Sequence, residues 1–487
     1  MIPKSSSKLA QSLDRFSEIL SPKEIHSLLE LQEKDLPTGI RINPLKASPK
    51  DAIMDLSQRY HWQIEKLSFV ENGWTIQKIE TSPGGTIEHR MGQYYLQDPA
   101  SMVPVSLFDF EISQPLILDM AASPGGKTTH LIDRSKDKGF IIANDASPGR
   151  IPALRSVLET WGGINQVITN YPGESFGSWF PGKFDIVLLD APCSMENLRP
   201  TSSHPMRETS IDERLRLQER QIQLLERGLQ ALKPGGQLVY ATCSLAPEED
   251  EAVINKLLEE YPNSIKIEDV SNHFHFDAQG VTSFEGKTYH PDLEHALRLW
   301  PHKTGMSGFF CALMTLQQPI KTTGETPPER DFSATHLRMV RGSLMEEIVG
   351  QISQNYGLDL DVNLKKYSLE VYQRFDQIFL IPQQYLTHFI HLPYNYIGMP
   401  LGQWVTEELI PSHTFISRFG RQFTRGKIVI NSDDVPLWTA GRDLRHPETN
   451  LTPKGQYLLV TDLEGRNLGL GKLLPKRLRN MLPRSLI

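Results

Sequence analysis

Two of the three cysteines follow short apolar runs, and each run has the length of a β-strand. Cys193 comes soon after residues 184–189, in the segment Asp-Ala-Pro-Cys-Ser that begins at Asp190, and Cys243 comes soon after residues 237–240. In a doubly wound sheet these runs would be neighbouring strands, and ligands bind at the carboxyl ends of such strands. We therefore expect both thiols and the Asp190 carboxyl group to meet at one edge of a sheet.

Residues 116–129 form a second group with chemical potential, and they read Leu-Ile-Leu-Asp-Met-Ala-Ala-Ser-Pro-Gly-Gly-Lys-Thr-Thr. The apolar start is typical of a strand, and the polar end can open a helix. Pro124, Gly125 and Gly126 allow a sharp turn and a close approach of the backbone to a ligand. Free N–H groups at the start of the helix would face that ligand. This is the strand–turn–helix pattern of a nucleotide-type binding site.

Two interpretations of this site are open. Lys127 and Thr128 after Gly126 resemble the phosphate loop of NTPases, with Asp190 as the carboxylate near Mg²⁺, but position 121 is Ala where that loop has its first glycine. Alternatively, Asp145 ends the apolar run 140–144 at the spacing of a ribose-binding acid. A nucleoside cofactor held by its ribose explains both features, whereas a triphosphate explains one.

A nucleoside cofactor, a thiol pair and a carboxyl group together suit the methylation of a pyrimidine at C5. That carbon is too weakly nucleophilic to be alkylated directly. A thiolate that adds at C6 makes C5 enamine-like, and a carboxylic acid at N3 stabilises the charge that develops. A base must then remove the C5 proton so that the enzyme thiol can leave.

The elements that would position these groups alternate between strand and helix from residue 113 to about residue 320. Strands are predicted near 116–120, 140–144, 166–169, 184–190, 236–242 and 309–316, and helices over 127–134, 148–161, 211–232 and 247–259. Glu248, Glu249 and Asp250 suit the first turn of the last helix. The pattern predicts a parallel, doubly wound α/β sheet with right-handed crossovers. Cys311 falls inside the last strand and is expected to be a core residue.

Length and composition limit the class of protein. The chain has 487 residues, a length that is typical of roughly three domains. Hydrophobic residues make up 39% of the chain. Three cysteines cannot build a disulfide framework, which suggests a reducing compartment. No stretch approaches membrane-spanning length, so we expect a cytoplasmic protein. The histidines at 273, 275, 290, 295 and 302 lack the spacing of a metal site, and we expect no metal.

Basic residues concentrate near the C-terminus despite a net charge of −7. Residues 410–432 contain no acid, and their phenylalanines at four-residue spacing are expected in a core, with the arginines on other faces and free to contact phosphate. Residues 465–487 also lack acids. The basic residues are Arg418, Arg421, Arg425, Lys427, Arg466, Lys472, Lys476, Arg477, Arg479 and Arg484. They indicate either an RNA-binding surface or a solvated charged tail.

Together these motifs resemble those of the RNA cytosine-5 methyltransferases of the NSUN/Sun family. The main motifs are Ala-Ala-Ser-Pro-Gly-Gly-Lys at 121–127, Asp-Ala-Pro-Cys-Ser at 190–194 and Thr-Cys-Ser at 242–244, with further landmarks at 41–46, 97–102 and 308–310. The resemblance covers about residues 35–316. The C-terminal extension is similar to that of the bacterial RsmF type, which methylates small-subunit rRNA and ends in a PUA-like RNA-binding domain.

The resemblance implies S-adenosylmethionine (SAM) as the cofactor and an RNA cytosine as the substrate. Cys243 is then the nucleophile at C6, Cys193 assists release of the covalent product, and Asp190 contacts the target cytosine and the neighbourhood of the cofactor. Asp145 holds the ribose hydroxyls of the cofactor, with help from Arg150. The residues expected to wrap the cofactor are Ala121, Ala122, Ser123, Pro124, Gly125, Gly126 and Lys127.

Three positions depart from the family pattern. The segment Thr-Asn-Tyr-Pro that ends at Pro172 stands where the family has an acid for the adenine amino group, which leaves Asn170 as a substitute. Met195 follows Cys193-Ser194 where the family has glycine, which predicts a stiffer release loop or a narrower base pocket. Ile186 replaces a basic or small residue that leads into the fourth-strand motif.

The sequence therefore predicts four domains. They are an N-terminal α+β RNA-binding domain (1–112), a SAM-dependent methyltransferase domain (113–320), a linker with an intermediate α+β domain (321–392) and a PUA-like RNA-binding domain (393–487). We expect a monomer that forms 5-methylcytosine, with 16S rRNA as the expected substrate and tRNA as the alternative. We expect no membrane or metal partner. A P-loop NTPase and a non-catalytic RNA-binding assembly factor are the competing classes. Binding of ATP instead of SAM would favour the first, and binding of RNA without methylation the second.

Overall fold

The two cysteine-bearing segments and the 116–129 stretch belong to one nine-stranded sheet at the centre of the molecule. The structure is a computed structural model, and it describes residues 13–31, 36–198, 209–445 and 455–487.

A small α+β unit precedes the central sheet. Its elements are α1 (Pro22–Leu31), β1 (Thr38–Ile42), α2 (Pro49–Tyr60), β2 (Gln63–Lys66), β3 (Gly73–Lys78), α3 (Ile87–Arg90), β4 (Tyr94–Leu96) and α4 (Pro99–Ser106). The strands form an antiparallel sheet in the order β2-β3-β1-β4. Ile40 and Ile42 of β1 pack into this unit, while Arg41 between them is also fully buried because it faces the next unit.

The central unit alternates strand and helix as predicted over its first half. Its elements are β5 (Leu116–Asp119), α5 (Gly126–Arg134), β6 (Phe140–Asn144), α6 (Ile151–Trp161), β7 (Gln166–Thr169), α7 (Phe176–Trp179), β8 (Phe184–Asp190), α8 (Ile211–Ala231), β9 (Leu232–Thr242), α9 (Glu251–Glu260), β10 (Ile265–Ile267), β11 (Ser283–Phe284), β12 (Lys287–Thr288), β13 (Leu297–Leu299), α10 (Pro301–Thr304) and β14 (Phe309–Leu316).

The topology of the central sheet confirms a doubly wound α/β fold. Strands β5 to β9 are parallel and stand in the order β9-β8-β5-β6-β7. The chain moves outward from β5 on one side and then crosses to β8 and β9 on the other, so the switch point lies between β5 and β8. A crevice for ligands opens at the carboxyl ends of strands at such a point.

Two details predicted for the central unit are wrong, one in its sheet and one in a helix. The sheet is mixed, because β14 runs antiparallel to β9 and β10 runs antiparallel to β14. An apolar run predicts a buried strand and carries no information on its direction, and antiparallel edge strands are common on such sheets.

Helix α9 also begins at Glu251, later than predicted, because residues 247–250 form a buried turn before it. The carboxyl groups of Glu248, Glu249 and Asp250 are therefore inside the protein.

Helices cover both faces of the parallel strands, which is why these strands are apolar on both sides. On one face Leu118 and Ile142 pack in the same cluster as Leu225 of α8. On the other face Ile117 packs in the same cluster as Leu158 of α6. The burial fixes the strand register, so the polar residues just past the strand ends are held at defined positions.

Two further five-stranded sheets follow the central unit, in the orders β15-β16-β17-β19-β20 and β21-β23-β24-β25-β22. The elements are β15 (Arg338–Met339), α11 (Ser343–Tyr356), α12 (Leu360–Tyr367), β16 (Leu369–Arg374), β17 (Gln377–Pro382), α13 (Gln383–His388), β18 (Tyr396–Ile397), β19 (Met399–Val405), β20 (Glu408–Pro411), α14 (His413–Phe419), β21 (Lys427–Ile430), α15 (Val435–Thr439), β22 (Leu444–Arg445), β23 (Tyr457–Asp462), β24 (Asn467–Leu474) and β25 (Arg477–Asn480). The β-rich C-terminal region is thus present, and its PUA-like character stays a prediction.

The C-terminal region is joined closely to the central unit. Strand β18 pairs antiparallel with β7 and becomes an edge strand of the central sheet. The first of the two five-stranded sheets takes strands from both sides of residue 393. The division into four domains remains a prediction.

The basic residues near the C-terminus do not all face solvent. Phe415, Phe419 and Phe423 are buried as expected, but Arg418 is buried as well and lies 3.1 Å from the carboxylate of Asp137. Arg418 is therefore not free to contact phosphate, because a helix of seven residues packed on two sides has no fully exposed face. The cations that are exposed are Arg421, Arg425, Lys427, Lys476, Arg477, Arg479 and Arg484.

Candidate active site

The turn between β5 and α5 carries the segment 121–127 to the carboxyl edge of the sheet. Gly125 precedes α5 with φ of 114°, a left-handed conformation that favours glycine. A Cβ at this position would lie 3.0 Å from Val157 and 3.2 Å from Leu154 of α6. Glycine is thus required both for the turn and for the close packing of α5 on α6.

A cavity of about 150 Å³ lies against this turn. It is lined by Tyr95, Leu96, Gln97, Ser101, Asp119, Ala121, Ala122, Ser123, Pro124, Gly126, Lys127 and Asp190. The Thr128 hydroxyl donates a hydrogen bond to Asp119 Oδ2 at 2.7 Å, while Asp119 Oδ1 is buried and has no partner among the described residues. Burial raises the pKa of Asp119 from its usual 3.8 to about 7. An unpaired carboxylate oxygen at this place suits a cationic donor, and the α-ammonium group of SAM is one.

Asp145 follows β6 and has both carboxylate oxygens engaged. Its Oδ2 accepts from the Ser123 N–H at 3.2 Å and lies 3.4 Å from the Arg150 guanidinium, and its Oδ1 accepts from the Ser147 N–H at 2.9 Å. Arg150 also donates to the Ser123 carbonyl. Asp145 is 2% exposed, so the two turns hold this carboxylate in place at the edge of the crevice.

Asn170, the expected substitute for the missing acid, lies beside Asp145. Its side-chain amide donates to the Asp145 carbonyl oxygen at 2.6 Å, while Pro172 is exposed. Asn170 thus supports the backbone at Asp145, and its role toward adenine stays a prediction.

The two cysteines meet at the carboxyl ends of β8 and β9. These strands are parallel neighbours, with Asp190 paired to Ala241, and the Sγ atoms of Cys193 and Cys243 are 3.2 Å apart. The hydrogen bond with Cys243 and then burial raise the pKa of the Cys193 thiol well above its usual value. Cys193 is therefore protonated at neutral pH. Cys311 is a fully buried core residue, as expected.

Lys127 and Asp190 form an ion pair between the turn and β8, with Nζ 2.7 Å from Oδ2. Burial alone would lower the pKa of Lys127, but the attraction to Asp190 and the hydrogen bond to it outweigh that effect and raise the pKa. The ammonium group also lies 5.3 Å from the centre of the Phe309 ring. The ion pair links the turn to the strand that carries the Cys193 segment.

A second cavity of about 350 Å³ adjoins the first, and Ala121, Ser123 and Asp190 line both. The remaining lining residues of the second cavity are Met120, Asp145, Ala146, Ser147, Arg150, Gly173, Ala191, Pro192, Cys193, Met195, Arg220, Leu224 and Cys243. The catalytic and cofactor-binding residues expected from the sequence thus line one of two connected cavities, except Gly125, which caps the helix behind them, and Asn170, which lines neither.

Sequence reasoning missed several lining residues, of which Asp119 and Arg220 bear charge. Asp119 is the only acid in an apolar strand, and sequence reasoning passed over it. An acid at such a place indicates a functional role, because burial of a charge is costly. Arg220 is an exposed residue in the middle of α8, and nothing in its sequence context separates it from the other polar residues of that helix.

Met195, the departure from the family's glycine, has φ of 61°. This left-handed conformation favours glycine and costs roughly 1–2 kcal/mol for a residue with a Cβ. The side chain is 50% exposed and lines the second cavity close to the cysteines. The stiffer release loop or narrower base pocket expected from the sequence stays a prediction. Ile186, another departure, is a buried residue of β8.

Within the described ranges, no helix is long and apolar enough to cross a membrane. The same ranges contain no group of three or more His, Cys, Asp or Glu side chains arranged to hold a metal ion.

Comparison with known proteins identifies the relatives of this chain. Residues 111–315 match the family model for the 16S rRNA methyltransferase RsmB/F, and residues 10–99 match the model for the N-terminal domain of 16S rRNA methyltransferase RsmF. The ribosomal RNA small subunit methyltransferase F of Aeromonas salmonicida is 30% identical over 459 residues, which are 93% of this chain and 91% of that protein.

Solved structures agree with this result. A methyltransferase homologue from Pyrococcus horikoshii is 30% identical, with a TM-score of 0.56 over 65% of this chain and 99% of that one. NSun6 from the same organism, solved with SFG, is 19% identical, with a TM-score of 0.53 over 65% of this chain and 98% of that one, and supports the fold alone.

Proposed function

The chain belongs to the family of 16S rRNA methyltransferases RsmB/F, and we propose on this basis that it forms 5-methylcytosine in small-subunit rRNA with SAM as the methyl donor. One observation supports the chemistry above all others. Two cysteine sulfurs lie 3.2 Å apart at the ends of adjacent strands, in a cavity that they share with Asp190 and the cofactor turn. A C5 methylation through a covalent adduct needs these groups in one place.

The residues around the two connected cavities fit SAM. The cofactor supplies, when bound, an electrophilic methyl group. Asp119 would receive its ammonium group, because one buried carboxylate oxygen lacks a partner among the described residues. Asp145 would accept from its ribose hydroxyls, with Arg150 holding the turn, and the 121–127 backbone would enclose it.

Cys243 is the nucleophile in this proposal. Its sulfur lies beside a protonated Cys193, which can donate a hydrogen bond to a Cys243 thiolate. The thiolate adds to C6 of the cytosine, and the electron pair of the C5–C6 bond becomes available at C5. The proton that the Cys243 thiol gives up is taken up at N3 of the base, and the Asp190 carboxylate, oriented by Lys127, accepts a hydrogen bond from N3–H.

Cys193 acts in the release step. After C5 has gained the methyl group and lost its proton, the bond between C6 and the Cys243 sulfur must break. The Cys193 thiol then donates a hydrogen bond to the departing thiolate, 3.2 Å away, and makes it a better leaving group.

The competing classes are less well supported. A triphosphate site needs a lysine that faces phosphate, whereas Lys127 pairs with Asp190, and position 121 is Ala. A non-catalytic factor would not need both thiols in contact. We further propose that the protein acts as a cytoplasmic monomer without a metal ion, because ribosomal subunits are its substrate and the chemistry needs no metal.

Two variants test the mechanism. Cys243→Ala should form neither methylcytosine nor an adduct, because addition at C6 must come first. Cys193→Ala should still attack and transfer the methyl group but release slowly, so methylated rRNA should stay bonded to Cys243. Denaturing gel electrophoresis with SAM and small-subunit rRNA would reveal the adduct as a slow RNA-bearing protein band.

The outcome discriminates between the possible assignments. A trapped band with Cys243→Ala and none with Cys193→Ala would reverse the two roles. Full activity of Cys243→Ala, measured by bisulfite sequencing of the product RNA, would refute the covalent mechanism. Cys311→Ala is the matched control, since this thiol is buried in the core and should not affect the band.

A further inference from the structure

Glu249 lies between the two turns that carry the cysteines and is fully buried. Its Oε2 accepts a hydrogen bond from the Ser194 N–H at 2.8 Å, and its Oε1 accepts from the Ser194 hydroxyl at 2.5 Å and from the Ser244 hydroxyl at 3.0 Å. Ser194 and Ser244 each directly follow a cysteine. One carboxylate therefore bridges the two cysteine-bearing turns.

The same carboxylate is tied to a third element. The side-chain amide of Gln221 in α8 donates to Glu249 Oε2 at 3.1 Å and to the Pro192 carbonyl oxygen at 2.9 Å. Because Pro192 directly precedes Cys193, these bonds fix the turn after β8 on both sides of the cysteine. The two turns and α8 thus share one buried acceptor.

The hydrogen-bond partners of Glu249 in the described structure are neutral. The neighbouring acids have basic partners, since Glu248 lies 2.6 Å from the Arg15 guanidinium and both Asp250 and Glu251 pair with Arg298. No ion pair joins Glu249 to a basic side chain in the described part of the chain. Among the described residues this carboxylate is therefore not offset by a cation, and a charge on it would act on the thiols next to it.

We propose that Glu249 is a positioning residue that fixes the separation of the two cysteines and whose charge opposes ionisation of the Cys193 thiol, which leaves Cys243 as the nucleophile of the pair. The proposal rests on the proposed function, because it concerns the division of labour between nucleophile and release thiol. Removing the charge should let Cys193 ionise more easily, and shortening the side chain should loosen the link between the turns.

Several charged and titratable groups face the pair. The pKa of Cys193 is raised by the hydrogen bond with Cys243, by burial, and by the negative charges of Cys243 and Glu249, in that order. Tyr240 of β9 is buried behind the thiols and its pKa is raised, first by burial. Glu196, on the same turn as Cys193, pairs with Arg15 and Arg214. On the other side stands the ion pair of Lys127 and Asp190.

The test of the charge first removes the Cys243 thiol, which has the largest effect on the pKa of Cys193. In full-length protein with Cys243→Ser, the rate of Cys193 alkylation by iodoacetamide is measured against pH by peptide mass spectrometry. Adding Glu249→Gln should raise that rate about tenfold at neutral pH, which corresponds to a fall of one unit in the pKa of the thiol. Adding Glu249→Asp keeps the charge and should leave the rate within a factor of two of the Cys243→Ser protein.

Glu248→Gln in the same background is the matched control. It removes a neighbouring carboxylate that pairs with Arg15 and does not touch the serines, so the alkylation profile should not move. Thermal melting curves establish that each variant is folded. Equal alkylation rates for Glu249→Gln and Glu249→Asp, or a shift of the same size with Glu248→Gln, would overturn the charge assignment.

The test of positioning uses the chain with both cysteines. The shorter side chain of Glu249→Asp cannot reach both serines, so the RNA adduct should form but resolve at least several times more slowly than in the parent. Resolution as fast as in the parent would overturn the positioning role. If the parent protein formed no adduct at all, the proposed function would fail, while the alkylation profiles would still report on the charge of Glu249.

Discussion

At the scale of single residues, the site depends on carboxylates whose surroundings decide what they can do. Asp119, Asp145, Asp190 and Glu249 all lie near the crevice, but each has a different set of partners. Within the described residues, Asp190 has a lysine partner, Asp145 has backbone donors and an arginine, and Glu249 has neutral donors, while one oxygen of Asp119 has no partner. In the proposed function the same side-chain chemistry would serve contact with the base, contact with the ribose, positioning of the cysteines and binding of the cofactor's charge.

The ribose contact gives a prediction for Asp145. Asp145→Asn keeps the shape of the side chain but removes the charge, so SAM affinity should fall by about 1–3 kcal/mol. Isothermal calorimetry would measure the change. Glu159→Gln is the control, because this partly exposed carboxylate of α6 pairs with Arg155 and lines neither cavity of the site. Unchanged affinity in Asp145→Asn, or tight binding of ATP in place of SAM, would contradict the assignment.

At the scale of elements, the cofactor helix α5 is held by a strand from the preceding unit. Arg41 of β1 is fully buried and bonds to the Asp133 carboxylate, to the Gly126 carbonyl at 2.9 Å and to the Thr129 hydroxyl at 2.6 Å. Asp133 also accepts from the Trp161 indole at 2.9 Å. The N-terminal unit therefore supports the start of α5 directly, in addition to any contact with RNA.

This buried pair gives a prediction for stability. Arg41→Leu leaves the Asp133 carboxylate buried without its cation, so the free energy of unfolding should fall by about 3–5 kcal/mol. Denaturant titration followed by circular dichroism would measure it. Arg155→Leu, which breaks an exposed pair on α6, should have a much smaller effect. If Arg41→Leu were as mild as Arg155→Leu, the buried pair would not be what holds α5.

At the scale of the whole molecule, the C-terminal region cannot be treated as a removable appendage. Strand β18 completes one edge of the central sheet, Arg418 pairs with Asp137, and the buried Lys46 ammonium donates to the Ser417 hydroxyl at 2.7 Å. Truncation near residue 390 would uncover the edge of β7 and leave Asp137 unpaired. RNA binding by this region is therefore better tested by changes of surface charge.

The exposed cations of β25 and the turn before it give that prediction. Replacing Lys476, Arg477 and Arg479 by glutamine should weaken rRNA binding and leave SAM affinity unchanged. The slope of log affinity against log salt should flatten by about 0.7–0.9 for each lost phosphate contact. Filter binding at several salt concentrations would measure both quantities. Lys256→Gln on the exposed side of α9 is the control, and equal affinities and slopes in the two proteins would make the β25 cations a solvated surface.

The sequence alone determined the fold class of the central unit, the family, the cofactor turn and the two cysteines. These features are local or periodic: apolar runs of strand length, glycines at a turn, and short motifs whose residues must stand in a fixed order to do their chemistry. Most strand bounds were correct to within a few residues for the same reason, because burial on both faces leaves a continuous apolar run.

Only the tertiary structure decided the direction of β14, the burial of Arg418 and the position of Glu249. Each of these depends on what packs against a residue from a distant part of the chain. In the sequence Arg418 is one of several cations, and its ion-pair partner Asp137 lies 281 positions away along the chain. It likewise shows Glu249 as a polar residue suited to the start of a helix, whereas two serines from separate turns surround it. Spacing along a chain fixes which residues share a face, and the free energy of burying a charge then depends on partners that only the fold brings together.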